Sequence, residues 1–382
     1  MSLTFLTNDG SKSRQLLLRA GLDSVAALGI DNCSVSDVIS RAGVSRPTFY
    51  SYFDDIPDLM AESWMAGGRD WFDALLWNHL PHDFDTTSEH IAFVDLLMAT
   101  HRSPVLAEVV LPHIEQQWNL LKKKPDAFQV KRIWVLATRV GMAVSMPVWP
   151  EVRNLQNFLQ GLELIPDDFI PSPASERALR DIESFVHEPL LTAEDDVTER
   201  LINAIVRVVA SSGVARASMT RVCRAAQVTT GSAKPRFADL STLMSHGYEH
   251  AVHEVSQQNA RESHVVFNGV SPITAYGRLV ITSLHPSRQQ WRRYRQEMHL
   301  ASRVNKKLTD DMRQGREGVS KVLSDILRNA DVDERIIDLS ILINQAQSVG
   351  FSLLQELGIP ARTINHAVIT ELISIDLLAS LK

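Results

Sequence analysis

The sequence predicts an all-α protein made of two similar helical units in one chain. Three observations lead there: apolar residues recur near a 3.6-residue period along most of the chain, no stretch alternates as a strand does, and a block of the N-terminal region reappears 184 positions later. The length of 382 residues agrees, since it exceeds what one hydrophobic core usually supports.

Hydrophobic residues make up 45% of the chain and the formal net charge is −6, so any nucleic-acid surface must be local. Cys33 and Cys223 show no CxxC spacing and no neighbouring His cluster, which argues against a metal site or a disulfide framework. No apolar run reaches the roughly 18 to 20 residues of a bilayer span, and residues 1–12 lack the basic-then-apolar order of a signal peptide. The expectation is a soluble cytoplasmic protein without a membrane partner. No Gly-rich phosphate loop, metal-ligand spacing or nucleophile elbow is present, so neither an enzyme nor a cofactor is predicted.

Taken in order, residues 1–12 read as a polar arm. Residues 13–28 place Leu16, Leu17, Ala20, Val25 and Leu28 close to one face and stop at Gly29, a helix C-cap. Ser34, with Asp37 three residues on, resembles a capping box that starts a second helix over residues 35–42, burying Val35, Val38 and Ile39. Gly43 supplies the turn, Ser45 is placed as an N-cap, and Pro47 falls in the first turn of a third helix, where a missing N–H costs little. That helix is short enough to suit a major groove. Asp55 caps a fourth helix carrying Leu59, Met60, Trp64, Trp71, Phe72, Leu75 and Leu76. Helices over residues 91–100, 104–121, 128–146 and 152–162 follow, separated by prolines. Residues 165–175, IPDDFIPSPAS, have the composition of a linker. A further helix is predicted over 176–187, and Thr192 with Asp195 marks a new capping-box-like start.

From here the chain repeats itself. Ala20 and Ala204, Gly29 and Gly213, Ser34 and Ser218, Val38 and Val222, Ala42 and Ala226, Phe53 and Phe237, Asp55 and Asp239, and Leu59 and Leu243 all stand 184 positions apart without a gap. Weaker echoes pair DLLMAT (from Asp95) with EMHLAS (from Glu297), and RVGMAV (from Arg139) with SVGFSL (from Ser348). They make residues 333–357 and 362–381 the counterparts of 128–146 and 152–162.

Gly43, Val44, Ser45, Phe49, Tyr50, Tyr52 and Phe53 follow the recognition-helix pattern of the TetR/AcrR family of bacterial transcriptional regulators, which residues 13–60 resemble. The resemblance implies a tandem arrangement: a helix-turn-helix DNA-binding domain (1–60), a helical effector-binding and dimerisation domain with linker (61–190), a degenerate second helix-turn-helix (191–244) and a second helical domain (245–382). It also implies a ligand-responsive regulator, most often a repressor, nucleoid-associated when bound. Its partners would be a double-stranded DNA operator, a small-molecule effector, and a two-fold mate supplied by the second repeat as an intrachain pseudo-dimer or by a homodimer. A protein of this fold that has lost DNA binding is the alternative.

Within that frame Ser45, Arg46, Pro47 and Thr48 lie at the helix end that enters the groove. Arg46 can make a bidentate contact to guanine, and Thr48 can touch a base edge or a thymine methyl. Tyr50 and Tyr52 match family positions that contact phosphates, and Ser36 at the start of the second helix is placed for another. The family's usual Lys at the start of the fourth helix is Ile56 here and Leu240 in the second copy. In that copy Ala233, Lys234, Pro235 and Arg236 replace Phe49, Tyr50, Ser51 and Tyr52, and Gln227 replaces the turn glycine, which predicts a shortened or kinked third helix. Its excess of basic residues, Lys234 and Arg236 among them, reads either as affinity for phosphates or as the solvated charge of a packed domain. Trp64, Trp71, Met98, His101, Trp118, Trp134, Arg139 and Met142 are candidate effector-lining residues, although for any single one core packing is the better explanation. His101 with Arg102, and the run from Trp291 to Arg295, read as anion sites or as solvated helix surface.

Overall fold

The computed structural model describes residues 11–79, 87–180, 191–267, 272–329 and 334–372, and among them every regular element is a helix. The first, α1 (Lys12–Leu28), begins slightly earlier than the apolar period suggests, because Ser11 caps it by accepting from the Arg14 N–H, and Gly29 closes it at φ 74°. Residues 1–10 of the predicted arm lie outside the described residues. The Ser34–Asp37 capping box forms with both bonds and starts α2 (Val35–Ala42), which Gly43 ends in the left-handed region. Helix α3 (Arg46–Tyr50) and the Asp55-capped α4 (Ile56–Ser63) follow.

Below this head a π-helical turn, Trp64–Gly68, joins α4 to α5 (Arg69–Leu76). Gly68 makes room for it: a Cβ there would stand 2.5 Å from the Trp64 ring. Then come α6 (Ser88–Ala99), α7 (Pro104–Leu121), α8 (Asp126–Ser145), a 3-10 turn over Pro150–Leu155 and α9 (Gln156–Glu163). The expected linker is partly structured, since α10 (Pro173–Arg180) begins inside it and is anchored by the Ser172 N–H to Glu371 (2.7 Å) and by Asn365 to Glu176 (2.9 Å). Residues 181–187 of the helix predicted there lie outside the described residues.

The chain then runs through α11 (Asp196–Ser212), α12 (Met219–Ala226), α13 (Thr230–Ala233), α14 (Leu240–Phe267), α15 (Pro272–Ser283), α16 (Gln289–Ser302), α17 (Lys306–Asn329), α18 (Glu334–Glu356) and α19 (Ala367–Leu372). Asp195 caps α11, accepting from the Val197 and Thr198 N–H groups, where the sequence had suggested Thr192. The predicted last helix is described only as far as residue 372.

Positive-φ residues coincide at the 184-residue spacing. Gly29 and Gly213 have φ of 74° and 80°, and Gly43 and Gln227 have φ of 65° and 57°. A left-handed glutamine costs roughly 1 kcal/mol that glycine avoids. Arg200 reinforces that turn by donating to the carbonyls of Ala226 (2.8 Å) and Gln227 (2.5 Å).

The two parts of the chain meet along α8 and α18, which cross in opposite directions at backbone contact. A Cβ on Gly141 would lie 1.8 Å from the Ala346 carbonyl oxygen, and one on Gly350 would lie 1.8 Å from the Ala137 carbonyl oxygen. The contact is reciprocal, since Ala137 and Ala346, like Gly141 and Gly350, are 209 positions apart. Beside it Trp134 packs edge-on against Phe351 (5.3 Å between centroids) and donates to His366 Nδ1 at 3.2 Å. Gln347 donates to the Thr138 hydroxyl (3.1 Å) and Ser145 to the Gln345 carbonyl (3.3 Å).

Because a methyl group cannot be accommodated at either glycine without separating the helices, Gly141→Ala and Gly350→Ala should each cost about 3 kcal/mol or more in chemical denaturation. Gly315→Ala is the control. It lies in a helix and its added Cβ meets nothing within 4 Å, so a gain of about 0.5–1 kcal/mol is expected.

Candidate nucleic-acid interface

In the first head the aromatic motif separates into anchors and a surface. Val38 and Phe49 are fully buried, Phe53 nearly so, and the Phe49 and Phe53 rings stand 5.7 Å apart. This fixes α3 against α2 and turns the alternate positions outward. Ser36, Ser45, Arg46 and Pro47 are exposed, and so are two large aromatics, Tyr50 (52%) and Tyr52 (39%). Thr48 is half-buried; its hydroxyl lies 2.7 Å from the Ser45 hydroxyl, which also accepts from the Thr48 N–H (3.3 Å). Ser45 is therefore the cap of α3, and Pro47 sits at its second position, where its missing donor is not needed. Ser11 at the cap of α1 donates to the Tyr52 phenolic oxygen (2.7 Å) and orients that ring. Arg41, exposed in the last turn of α2, adds a cation to the same head that the motif does not contain.

Residues 17–62 match the family model described as bacterial regulatory proteins of the tetR family. They form a TetR-type DNA-binding domain. Three curated relatives, from two strains of Mycobacterium tuberculosis and from Mycobacterium bovis, are each named as an uncharacterized HTH-type transcriptional regulator. Each is 36% identical over 56 residues, which is 15% of this chain and 30% of the relative. The chain thus matches under a third of the length of these relatives.

In the second head, α11 to α13, the positive-φ turns recur at the 184-residue spacing and the outer surface differs. Helix α13 has four residues and stops at Ala233, just before Lys234 and Pro235, as the proline requires. Lys234 and Arg236 are exposed, but Arg236 is engaged, pairing with Asp195 at 2.9 Å. That hydrogen bond holds the Asp195 carboxyl well below the usual carboxylate range. The pairing sits where the first head has Ser11 and Tyr52, 184 positions earlier. Other basic residues also turn to the protein: Arg200 bonds carbonyls at the end of α12, Arg207 donates to Ala225 (3.0 Å), and Arg221 donates to Arg216 (3.3 Å).

The candidate effector residues fall mainly in packed surroundings. Trp64 and Trp71 are fully buried, and Met98, Trp134, Arg139 and Met142 nearly so; Arg139 donates to Asn78 (3.3 Å), and half-buried Trp118 carries Lys122 over its ring (5.6 Å). His101 has its Nδ1 2.9 Å from the Met98 carbonyl, and burial lowers its pKa. Arg102 is no solvated helix end. It binds Asp31 in the first head through two bonds (2.7 and 2.9 Å), binds Glu297 through Nε (2.8 Å), and its guanidinium lies 3.0 Å from the Cβ position of Gly213 in the second head. The related contact joins Arg303 to Asp95 (2.6 Å), and Asp95 and Glu297 are 202 positions apart. Likewise the run from Trp291 to Arg295 is largely interior: Arg292 and Tyr294 are buried, and Arg293 binds Glu356 at 2.7 Å. Sequence alone hid these pairings because the partners lie far apart in the chain.

Cys33 and Cys223 are free and buried, and burial pushes the Cys33 thiol up to about 12. Among the described residues no three of His, Cys, Asp or Glu converge to hold a metal, and no helix is long and apolar enough to cross a membrane.

Burial pushes Asp95 and Glu297 up to about 7, with their arginines opposing the shift. An acid whose folded pKa lies above its unfolded value binds more protons when folded, so these groups make stability fall as pH rises from about 4 to 7 and leave it level above. Asp95→Asn should therefore show a shallower decline than wild type when thermal unfolding is followed over pH 5 to 7.5. An unchanged slope would mean that Asp95 titrates normally.

Proposed function

We propose that this chain is a cytoplasmic, ligand-responsive transcriptional regulator, most simply a repressor, that reads operator DNA through its first head. The observation that carries the reading is the outward face of α3 in the TetR-type domain, where Arg46, Tyr50 and Tyr52 are held exposed by buried Phe49 and Phe53. Exposed aromatics beside a capped helix end suit a phosphate-lined groove, and Ser36 at the start of α2 adds a donor at a second helix N-terminus.

In this reading the chain is a tandem of two such units, with bounds near 60, 190 and 244, and it supplies its own two-fold mate. The reciprocal contact of α8 with α18, the matching backbone at 184-residue spacing and the crossed pairs of Arg102 with Glu297 and Arg303 with Asp95 support an intrachain pseudo-dimer. An effector held by the helical domain would change the spacing of the heads and so their fit to two half-sites. The second head, with a four-residue α13 and its arginines directed inward, serves mainly as a packing partner, which makes the preferred operator asymmetric.

Selection of bound duplexes from random DNA, followed by titration at two salt concentrations, tests the reading. Arg46→Ala should weaken binding to the selected site about 10- to 100-fold and relax its sequence preference. Tyr50→Ala should weaken all duplexes alike, and Arg236→Ala should leave affinity nearly unchanged. If wild type and Tyr50→Ala bind indistinguishably, the protein has the fold without the DNA-binding role.

A further inference from the structure

The interiors of the two helical regions differ in kind. In the first, Trp64 packs against Trp71, Phe93 and His113 with centroids 6.4, 6.4 and 6.2 Å apart, and Trp64, Trp71 and Phe93 are fully buried. The spacings that relate the two parts of the chain place Tyr248 where Trp64 stands, Arg295 at Phe93, His299 at Leu97, Gly315 at His113 and Gln345 at Leu136. The 202-residue spacing holds across these helices, since Leu106 and Leu308, and Val110 and Met312, are all buried core. A closed aromatic core in one region thus corresponds to polar residues and a missing ring in the other.

Those polar residues are not mutually satisfied. Arg295 donates to Gln345 Oε1 (2.7 Å), and no carboxylate faces it among the described residues. Arg295 is half-buried, and burial lowers its pKa. His299 is fully buried, neither ring nitrogen has a partner, and burial with the nearby Arg295 charge lowers its pKa to about 3, so it is neutral. Gln296, 2% exposed, has an unpartnered Nε2. At Gly315, where the first region has an imidazole ring, an added Cβ would meet nothing within 4 Å. A buried cation without a counter-charge is costly, and an anion that reaches it removes the cost.

We propose that the second helical region holds the effector site, and that it takes a small amphipathic carboxylate whose anionic end lies on Arg295 and whose planar apolar body occupies the space beside Gly315 and Tyr248. This rests on the ligand-responsive reading and narrows it to one half of the chain and one ligand chemistry. His299 and Gln296 supply neutral polar contacts, and the first region has no corresponding cation, because Phe93 stands in its place.

The test uses the full chain, benzoate as the probe and benzamide as its uncharged isostere, with calorimetry and thermal unfolding as readouts. Benzoate should bind and raise the melting temperature, and benzamide should do neither. Arg295→Gln should weaken benzoate at least about tenfold, the weight of a charge-assisted hydrogen bond. Arg295→Lys should recover part of the affinity, and Phe93→Leu should leave it unchanged. Without ligand, Arg295→Met should melt higher than wild type, because it removes an uncompensated charge; an arginine with a purely structural role would give a lower value. Equal binding of benzoate and benzamide, retention of benzoate affinity in Arg295→Gln, or no benzoate binding would overturn the proposal. Repeating the duplex titration with saturating benzoate separates the two readings. Benzoate bound with DNA affinity unchanged leaves the site standing and removes ligand responsiveness, whereas DNA binding without benzoate binding removes the site alone.

Discussion

Contact between the backbones of α8 and α18 is the constraint on which the rest of the molecule depends. Ala137 and Gly141 lie against Ala346 and Gly350 so closely that each glycine's missing side chain is filled by the opposite carbonyl. Two helices in contact at that distance have almost no freedom to slide or roll, because any displacement drives a carbonyl into a Cα. Trp134 with Phe351 and His366, and Gln347 with Thr138, then occupy the flanks of a crossing already fixed by the glycines. The relative placement of the two heads is inherited from that crossing. Arg102 carries it outward, since one guanidinium binds the turn after α1, binds α16 and abuts the end of α11.

The contrast between the heads traces to a few residues. With glycine at position 43 the left-handed turn forms without strain, and the first head needs no charged side chain to hold it. With glutamine at 227 the same turn forms and is reinforced by Arg200 at its carbonyls, while Arg207 binds the preceding one. Arginines so engaged gain the partially negative end of α12 as a partner and are correspondingly less available to phosphates. Pro235 removes the donor that a longer α13 would require, so the helix ends within one turn. Composition alone does not distinguish arginines engaged in this way from those left exposed.

Local features were legible in the sequence and distant ones were not. The caps at Ser34, Ser45 and Asp55, the turn at Gly43, and the bounds of the helix from Pro104 to Leu121 depend on residues within a few positions of one another, and the structure forms them as the pattern predicts. The start of α11 was mistaken only between two neighbouring capping residues. What could not be read were the groups whose state depends on partners elsewhere. Arg102 and the run from Trp291 to Arg295 look like solvated helix surface until Asp31, Glu297 and Glu356 are brought to them by the fold. The π-helical turn at Trp64 also escaped the periodicity, since only the fit of that ring over Gly68 calls for it. At the interface itself, the family pattern picked out Tyr50 and Tyr52, which the structure leaves exposed, while the pairing of Arg236 with Asp195 required a contact across 41 positions.

The unequal interiors give the fold a direction. A core in which Trp64, Trp71 and Phe93 interlock resists rearrangement, because moving one ring opens a cavity beside the others. In the proposed reading, an interior that leaves His299 unpartnered and, among the described residues, brings no carboxylate to Arg295 is one that a ligand can stabilise by what it satisfies. Arg295 and His299 lie on α16 and Gln345 on α18, the helix locked to α8. A shift of α18 would reach the first head through a region whose interlocked rings leave little slack to absorb it. In the proposed reading the two interiors are complementary, since interlocked rings beneath the first head would hold a DNA-contacting surface in place while the polar interior around Arg295 would respond to a ligand.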